Sequence, residues 1–319
     1  MMIAYGPVPS RRLGRSLGIN NIPPKICTYA CVYCQLARPS TLQLERQAFY
    51  KPERIRDEVQ AKVEKARSGG ERIDYLTFVP DGEPTLDLQL GREIEMLAGL
   101  DIQTAVISNG SLLTDDEVRN ELEKASWVSV KVDAASESVW RRVNRPHGRL
   151  DLDAIKEGVL AFASNYRGTL ATETMLVHGV NDSDESLEGI AERLEHIDPD
   201  IAYVAIPTRP PSEHWVRAPD EERINRAYQT ISERVGRVET LIGYEGNAFA
   251  STGDAVEDLL SITAVHPMRE DAVDAFLERA DVAWDVVERL LQEGEVVRAD
   301  YGEHAFYLRS LSRRSEKET

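Results

Sequence analysis

Cysteine is scarce in this chain of 319 residues: there are three, all within Cys27–Cys34. An odd number packed into so short a segment makes a poor disulfide framework, because at best two sulfurs pair and one is left over. Long apolar runs are also missing; no stretch approaches the roughly 18–20 residues that a membrane-spanning helix requires. The start, Met1 to Pro9, has no basic segment leading into an apolar one, so it does not read as a secretory signal. Lysine supplies only 8 of the 38 basic residues, and 55 Asp and Glu outweigh them for a net charge of −17. Phosphate backbones draw proteins through clustered Lys and Arg, so this balance argues against DNA and gives no general support for RNA. These absences predict a cytoplasmic protein in a reducing compartment, with no membrane partner.

What is present supports a large core: 42% of the residues are hydrophobic, enough for one main domain and a smaller satellite. Residues 1–26, rich in Pro, Gly and Arg, show little periodicity and read as an ordered loop or short strand. From residue 52 a strand–loop–helix rhythm recurs about six times. Short apolar runs at 73–79, 104–107, 127–132, 170–177, 201–206 and 238–241 read as strands. Helical spacing marks 52–67, 86–97, 114–125, 137–143, 152–165, 184–196 and 218–235, with Thr114 and Glu117 in capping-box positions. Continuous apolar strands between helical crossovers argue a parallel sheet covered by helices, either open and doubly wound or a partial barrel. Each polar, Gly- or Pro-bearing segment follows a strand, at the end of the sheet where α/β proteins place their chemistry.

Residues 255–309 differ. Helical segments at 256–261, 269–280 and 283–292 feed a hairpin at 295–299 and 305–308, which resembles a winged-helix domain. Between 256 and 309 there are 13 acidic and 5 basic residues, so protein contact or substrate capping is the better expectation than reading DNA. Residues 310–319 read as a flexible tail.

The cysteines form Cys27-Thr28-Tyr29-Ala30-Cys31-Val32-Tyr33-Cys34, a CxxxCxxC spacing. A structural zinc site wants four ligands, and the nearest histidine in sequence, His147, is far along the chain. Three thiolates on an iron–sulfur cubane leave one iron without a protein ligand, open to a chelating substrate.

This CxxxCxxC, with an aromatic residue before its last Cys, resembles the radical S-adenosylmethionine superfamily. The string GPVPSRRLGRSLGIN followed by PKICTYACVYCQ is similar to the wyosine-synthase-like subgroup. PDGEPTL, SNGSLL, VDA, NRPH and MLVHGVND extend the likeness over roughly residues 4–250. The resemblance implies a partial (β/α)6 TIM-like barrel over residues 1–250, ahead of the small C-terminal winged-helix-like α+β domain at 255–309. It implies that Cys27, Cys31 and Cys34 hold a [4Fe–4S] cluster whose fourth iron chelates S-adenosyl-L-methionine. A reduced flavodoxin or ferredoxin would then drive cleavage to a 5′-deoxyadenosyl radical, which abstracts hydrogen from a small-molecule, nucleoside or peptide substrate. For the cofactor it implies Tyr33 and Pro207 by the adenine and the turn Asp81, Gly82 and Glu83 at the methionine ammonium. Ser108, Asn109 and Asp133 fall to ribose or carboxylate, and Glu173 faces the cofactor. Authentic wyosine synthases carry additional N-terminal cysteines for a second cluster; this chain has no fourth cysteine, and tRNA modification is not favoured.

Other residues carry two readings each. Arg11, Arg12 and Arg15 either pair with surface carboxylates or bind an anionic substrate or cofactor carboxylate. Arg145 and His147 either stabilise a loop or contact substrate and move protons. Lys131 faces the barrel interior and either pairs with Asp133 or serves as a carbonyl-binding amine. Arg209 and His214 are candidates for the substrate side, His178 carries the same pair of readings as His147, and Tyr244–Phe249 is a candidate closing loop. The four tryptophans read as packing residues. A rival to the enzyme is a metal-stapled binding or regulatory module, which would keep its partner after Cys34→Ala.

Overall fold

A computed structural model describes residues 3–35, 41–243, 246–247, 249–251 and 253–310. The segment read as a tail, 310–319, lies outside these residues beyond Ser310, as does much of the proposed closing loop 244–249.

The chain opens with two strands, β1 (Ala4–Ser10) and β2 (Gly14–Ile19), paired antiparallel. Sequence pattern left this segment as loop or short strand because proline and glycine interrupt it. Those glycines are what let it pair: Gly14 turns at φ +63°, and a side chain at Gly18 would come within 2.0 Å of the Tyr5 ring. After β3 (Ile26–Cys27) and β4 (Thr41–Leu42), a short parallel pair, comes α1 (Pro52–Ser68). Pro52 starts α1, and Ile55, Val59, Val63 and Ala66 form its buried stripe.

The alternation then runs β5 (Tyr75–Phe78), α2 (Leu90–Leu97), β6 (Gln103–Ser108), α3 (Asp116–Leu122), β7 (Trp127–Lys131), α4 (Glu137–Val143) and α5 (Leu152–Asn165). It continues with β8 (Thr169–Met175), α6 (Asp184–Ile197), β9 (Ile201–Ala205), α7 (Glu221–Ser232) and β10 (Val238–Leu241). The cap of α3 is Asp115, which accepts the Glu117 N–H, and not Thr114 as the capping-box pattern suggested. Leu86, expected to begin a helix reaching Leu97, instead ends a separate 3₁₀ turn, Pro84–Leu86, and α2 starts only at Leu90.

One sheet takes eight strands in the order β1-β2-β5-β6-β7-β8-β9-β10, and every pairing after the first is parallel. A doubly wound sheet reverses its strand order at a switch point. Here the order follows the chain without reversal, giving the curled sheet of a partial barrel. Seven parallel strands stand where sequence pattern counted six; β2 is the addition. All five residues of β9 and six of seven in β8 are buried, as strands covered on both faces must be.

The C-terminal unit contains α8 (Ala255–Thr263), β11 (Met268–Arg269), α9 (Glu270–Ala280), α10 (Asp285–Gln292), β12 (Val296–Tyr301) and β13 (His304–Arg309). Its strands pair antiparallel in the order β11-β13-β12; β11, two residues long, was not legible as a strand. Its core of Leu259, Ile262, Met268, Phe276 and Val287 also takes Tyr5 and Val8 from β1 and Phe249. The unit thus packs on the N-terminal hairpin, and Lys62 of α1 ties to buried Asp258 of α8 at 2.8 Å. No helix among the described residues is long and apolar enough to cross a membrane.

Candidate functional site

The loop carrying the three cysteines leaves the C-terminal end of β2 and is clamped from three sides by backbone hydrogen bonds. On entry, Lys25 N donates to Asp81 O at 2.7 Å and Glu83 N to Ile26 O at 3.1 Å. Gly82 permits that approach, since a Cβ there would lie 2.0 Å from the Ile26 carbonyl oxygen. In the middle, Ala30 N reaches the carbonyls of Asn144 and Arg145 at 3.1 Å, Val32 N reaches Val143 O at 2.9 Å, and His147 N donates to Thr28 O at 2.9 Å. On exit, Ser212 N donates to Cys34 O at 2.8 Å. Loops after β5, α4 and β9 therefore shape one cradle from segments far apart in sequence.

All three cysteines are free and half-buried. Their sulfurs meet N–H donors: Tyr29 N lies 3.5 Å and Asn109 Nδ2 3.6 Å from Cys27 Sγ, and Asn144 Nδ2 lies 3.4 Å from Cys31 Sγ. Burial pushes the Cys27 thiol well up, with Glu83 adding to it, and pushes Cys31 up to about 12, with Asp133 adding to it. Thiols desolvated in this way keep their protons until a cationic metal centre replaces them. Among the described residues no group of three or more His, Cys, Asp or Glu is placed to hold a single metal ion. The donor set, three soft sulfurs with amide N–H groups aimed at two of them, fits an iron–sulfur cluster.

Beneath the loop lies a layer of buried polar groups. Glu83 accepts from Thr85 N at 3.2 Å, Thr85 Oγ1 at 2.7 Å, Ser108 Oγ at 2.7 Å and Asn109 N at 2.8 Å. Burial raises its carboxyl above the usual range, and these donors temper the rise. Asp133 accepts from the Tyr33 hydroxyl, from Asn144 Nδ2 at 2.7 Å and from Met175 N at 2.8 Å. Burial, reinforced by Asp133, drives the Tyr33 phenol far above its ordinary value, so it is a neutral donor.

Beside the loop opens a cavity of about 310 Å³. Arg11 and Arg12 of the β1–β2 turn, Tyr33, Cys34, Lys131, Glu173, Arg209 and His266 line it, together with apolar Val8, Ile107, Met175 and Val265. Lys131 of β7 and Glu173 of β8 are register partners in the sheet, and they form an ion pair. Arg12 pairs with the same carboxylate from across the cavity. Lys131 Nζ stands 5.4 Å from the centre of the Tyr33 ring. Burial lowers the Lys131 ammonium, while Asp133 pulls it the other way. Val265 and His266 belong to the C-terminal unit, and Arg209 Nη2 donates to His266 Nε2 at 2.8 Å.

The structure thus gathers Arg11, Arg12, Tyr33, Cys34, Lys131 and Glu173 around one cavity. Gly82, Glu83, Ser108, Asn109 and Asp133 gather instead against the cysteine loop, with Cys27 and Cys31. Asp81 pairs with Lys25 at 3.1 Å, and the Pro207 carbonyl accepts the Tyr301 hydroxyl of the C-terminal unit at 3.2 Å. Arg145 and His147 do not line the cavity: Arg145 pairs with Glu213 at 2.7 Å, and His147 Nδ1 accepts from Arg149 N at 3.2 Å. Lys131 pairs with Glu173, not with Asp133 two residues on, because the neighbouring strand brings a carboxylate directly opposite. Arg15 leaves the site for Glu71. Trp140 packs edge-on to Tyr29 and Trp284 to Tyr307, but Trp215 is exposed. Asn144, Thr28 and Ser212 were assigned no role: the first opens the NRPH string and the second stands in the cysteine segment, but neither string shows what its residues touch.

Comparison with known proteins sets this site in context. Residues 21–194 match the model of the Radical SAM superfamily. A UPF0026 protein of Methanocaldococcus jannaschii is 43% identical over 318 residues, covering 99% of this chain and 98% of its own. Among solved structures, a radical SAM methyltransferase from Sphaerobacter thermophilus superposes with a TM-score of 0.54 at 18% identity, covering 71% of this chain and 66% of that one. A structure of TYW1 with a lysine–pyruvate adduct bound gives a TM-score of 0.51 at 18% identity, covering 69% and 74%. At that identity the likeness is one of fold.

Proposed function

Since the chain belongs to the radical SAM superfamily and is therefore an enzyme, we propose that Cys27, Cys31 and Cys34 hold a [4Fe–4S] cluster and that the cavity beside them takes the substrate. When bound, the cluster and S-adenosyl-L-methionine together supply one-electron cleavage to a 5′-deoxyadenosyl radical, with reduced flavodoxin or ferredoxin as the donor. The observation carrying this reading is the cradle: three loops grip the cysteine segment, and its last cysteine opens onto the cavity.

This chain's own residues would do the rest. The turn Asp81, Gly82 and Glu83, with Ser108, Asn109, Tyr33, Asp133, Glu173 and Pro207, would frame the cofactor. Most of them already hydrogen-bond one another, so little reorganisation is needed on binding. Arg11, Arg12 and Lys131 would face the substrate. Arg145 and His147 would act from behind, by holding the loop. The N-terminal hairpin and the winged-helix-like C-terminal unit would exclude water from a radical that attacks almost any nearby C–H bond. The net charge of −17 weighs against a nucleic-acid substrate.

The test is anaerobic reconstitution followed by iron, sulfide and 5′-deoxyadenosine measurements after dithionite reduction. About four irons per chain and released 5′-deoxyadenosine are expected. One zinc per chain and no 5′-deoxyadenosine would overturn the reading.

A further inference from the structure

Two asparagines from different loops point their amide nitrogens at cysteine sulfurs, and in each the direction of the amide follows from its other contacts. Asn144 Nδ2 lies 2.7 Å from Asp133 Oδ2 and 3.4 Å from Cys31 Sγ. The Asp133 oxygens act as acceptors here, Oδ1 for Met175 N and Oδ2 for this amide, so the nitrogen of the amide, and not its oxygen, faces Asp133 and with it the sulfur. Asn109 Oδ1 accepts the Ser111 N–H at 2.9 Å, which turns its Nδ2 toward Thr28 Oγ1 at 2.7 Å and Cys27 Sγ at 3.6 Å. Both residues are also fixed through their backbones. Asn144 N donates to Trp140 O at 2.8 Å, and its carbonyl receives Ala30 N at 3.1 Å. Asn109 N donates to Glu83 Oε2 at 2.8 Å. Asn144 is only 2% exposed, so its hydrogen bonds operate away from water.

We propose that Asn144 and Asn109 are positioning residues that raise the reduction potential of the cluster held by the three cysteines. The proposal rests on the reading of Cys27, Cys31 and Cys34 as cluster ligands. Adding an electron to a thiolate-ligated cluster increases the negative charge on sulfur, and an N–H donor aimed at that sulfur favours the reduced state. Asn144 carries the larger share. Its amide lies nearer its sulfur, at 3.4 Å against 3.6 Å for Asn109, and is buried where Asn109 is half-buried; each sulfur has one further donor, the Tyr33 hydroxyl at Cys31 and the Tyr29 N–H at Cys27. Through Asp133 the same amide is linked to Tyr33, so the potential and the placement of the aromatic ring are set by one contact network.

The experiment is a redox titration of the anaerobically reconstituted full chain, followed by the electron paramagnetic resonance signal of the reduced cluster with and without S-adenosylmethionine. Asn144→Ala is expected to lower the reduced-to-oxidised ratio at a fixed potential by roughly tenfold, about 59 mV for one electron. Asn109→Ala should lower it less, by roughly threefold, because its amide is farther from the sulfur and only half-buried. The near-isosteric Asn144→Asp, which replaces a donor with an acceptor, should lower it most. A purely structural role would reduce iron loading or melting temperature and leave the potential of the loaded fraction unchanged; that result overturns the proposal. If Asn144→Ala takes up no iron, the other two variants decide by the same measurement. A wild-type protein that loads no cluster, or whose signal ignores S-adenosylmethionine, defeats the reading of the cysteines and this inference with it. A responsive wild type with variants of unchanged potential defeats this inference alone.

Discussion

The strand-end face of the barrel and the C-terminal unit solve opposite problems with the same chain. Around the cysteine loop the barrel buries Asp81, Glu83, Ser108, Asp133, Asn144 and Glu173. The C-terminal unit buries phenylalanine, leucine, isoleucine and valine, and its few buried polar groups include Asp258, tied to Lys62, and His266, met by Arg209. Hydrophobic burial is non-directional and tolerates small shifts. A buried polar network works only when each group meets its partner. The barrel face is therefore ordered to hold chemistry, while the C-terminal unit is built to pack and reaches the cavity through Val265 and His266. The two meet at β1, whose Tyr5 and Val8 belong to the C-terminal core.

That contrast can be broken in graded steps. The largest effect is expected from Cys34→Ala, which should cut 5′-deoxyadenosine formation by about 100-fold or more while leaving the melting of the apo-protein near wild type. A variant that keeps full iron content and turnover would remove the contrast. Next, Asp133→Ala strips the acceptor from Tyr33, Asn144 and Met175 N, and should cost about 3–5 kcal/mol in denaturant unfolding. A loss below about 1 kcal/mol would mean that the network is not needed for stability. Gly18→Ala places a methyl 2.0 Å from the Tyr5 ring. It should cost about 1–3 kcal/mol and raise protease sensitivity of the C-terminal unit before that of the barrel, because Tyr5 serves the former.

A pH dependence comes from two carboxyls just beyond the turn that follows β5. Burial, with Asp87 adding to it, pushes the Glu93 carboxyl well above the ordinary range, and burial raises Asp87 likewise. The folded state then holds protons that the unfolded state has released, so stability is greatest below the ordinary carboxyl range and falls as pH rises through the raised values. Melting temperature should decline between about pH 5 and 9, and Glu93→Gln should flatten the decline; an unchanged slope would reject this assignment. The smallest effect is expected at Trp215, exposed in the loop after β9. Trp215→Ala should change stability by less than about 0.5 kcal/mol, checked by thermal melting.

The rhythm of strands and helices was legible because each strand is a short apolar run and each helix carries a 3.6-residue stripe; α4 and α5 fall on the residues that periodicity marked. The N-terminal hairpin was not. Its pairing depends on a glycine under Tyr5 and a left-handed glycine in the turn, and both look like loop signals when read locally. Within the site, Cys27, Cys31 and Cys34 stood out by spacing, and Glu173 and Asp133 by their positions along a strand or at its end. The partners of those residues did not. Glu173 meets Lys131 through strand register and Arg12 across the cavity, and Asn144 reaches Cys31 from 113 residues away.

By itself the sequence determined the element types, the parallel α/β class and the three-sulfur segment, since these follow from local periodicity, residue chemistry and spacing. Only the tertiary structure decided that the sheet curls without reversing, that Lys131 belongs to Glu173, that Arg145 and His147 stand behind the loop, and that amides turn toward two of the sulfurs. Those outcomes depend on which distant backbones lie side by side, and a hydrogen bond is directional enough that one register step would undo them.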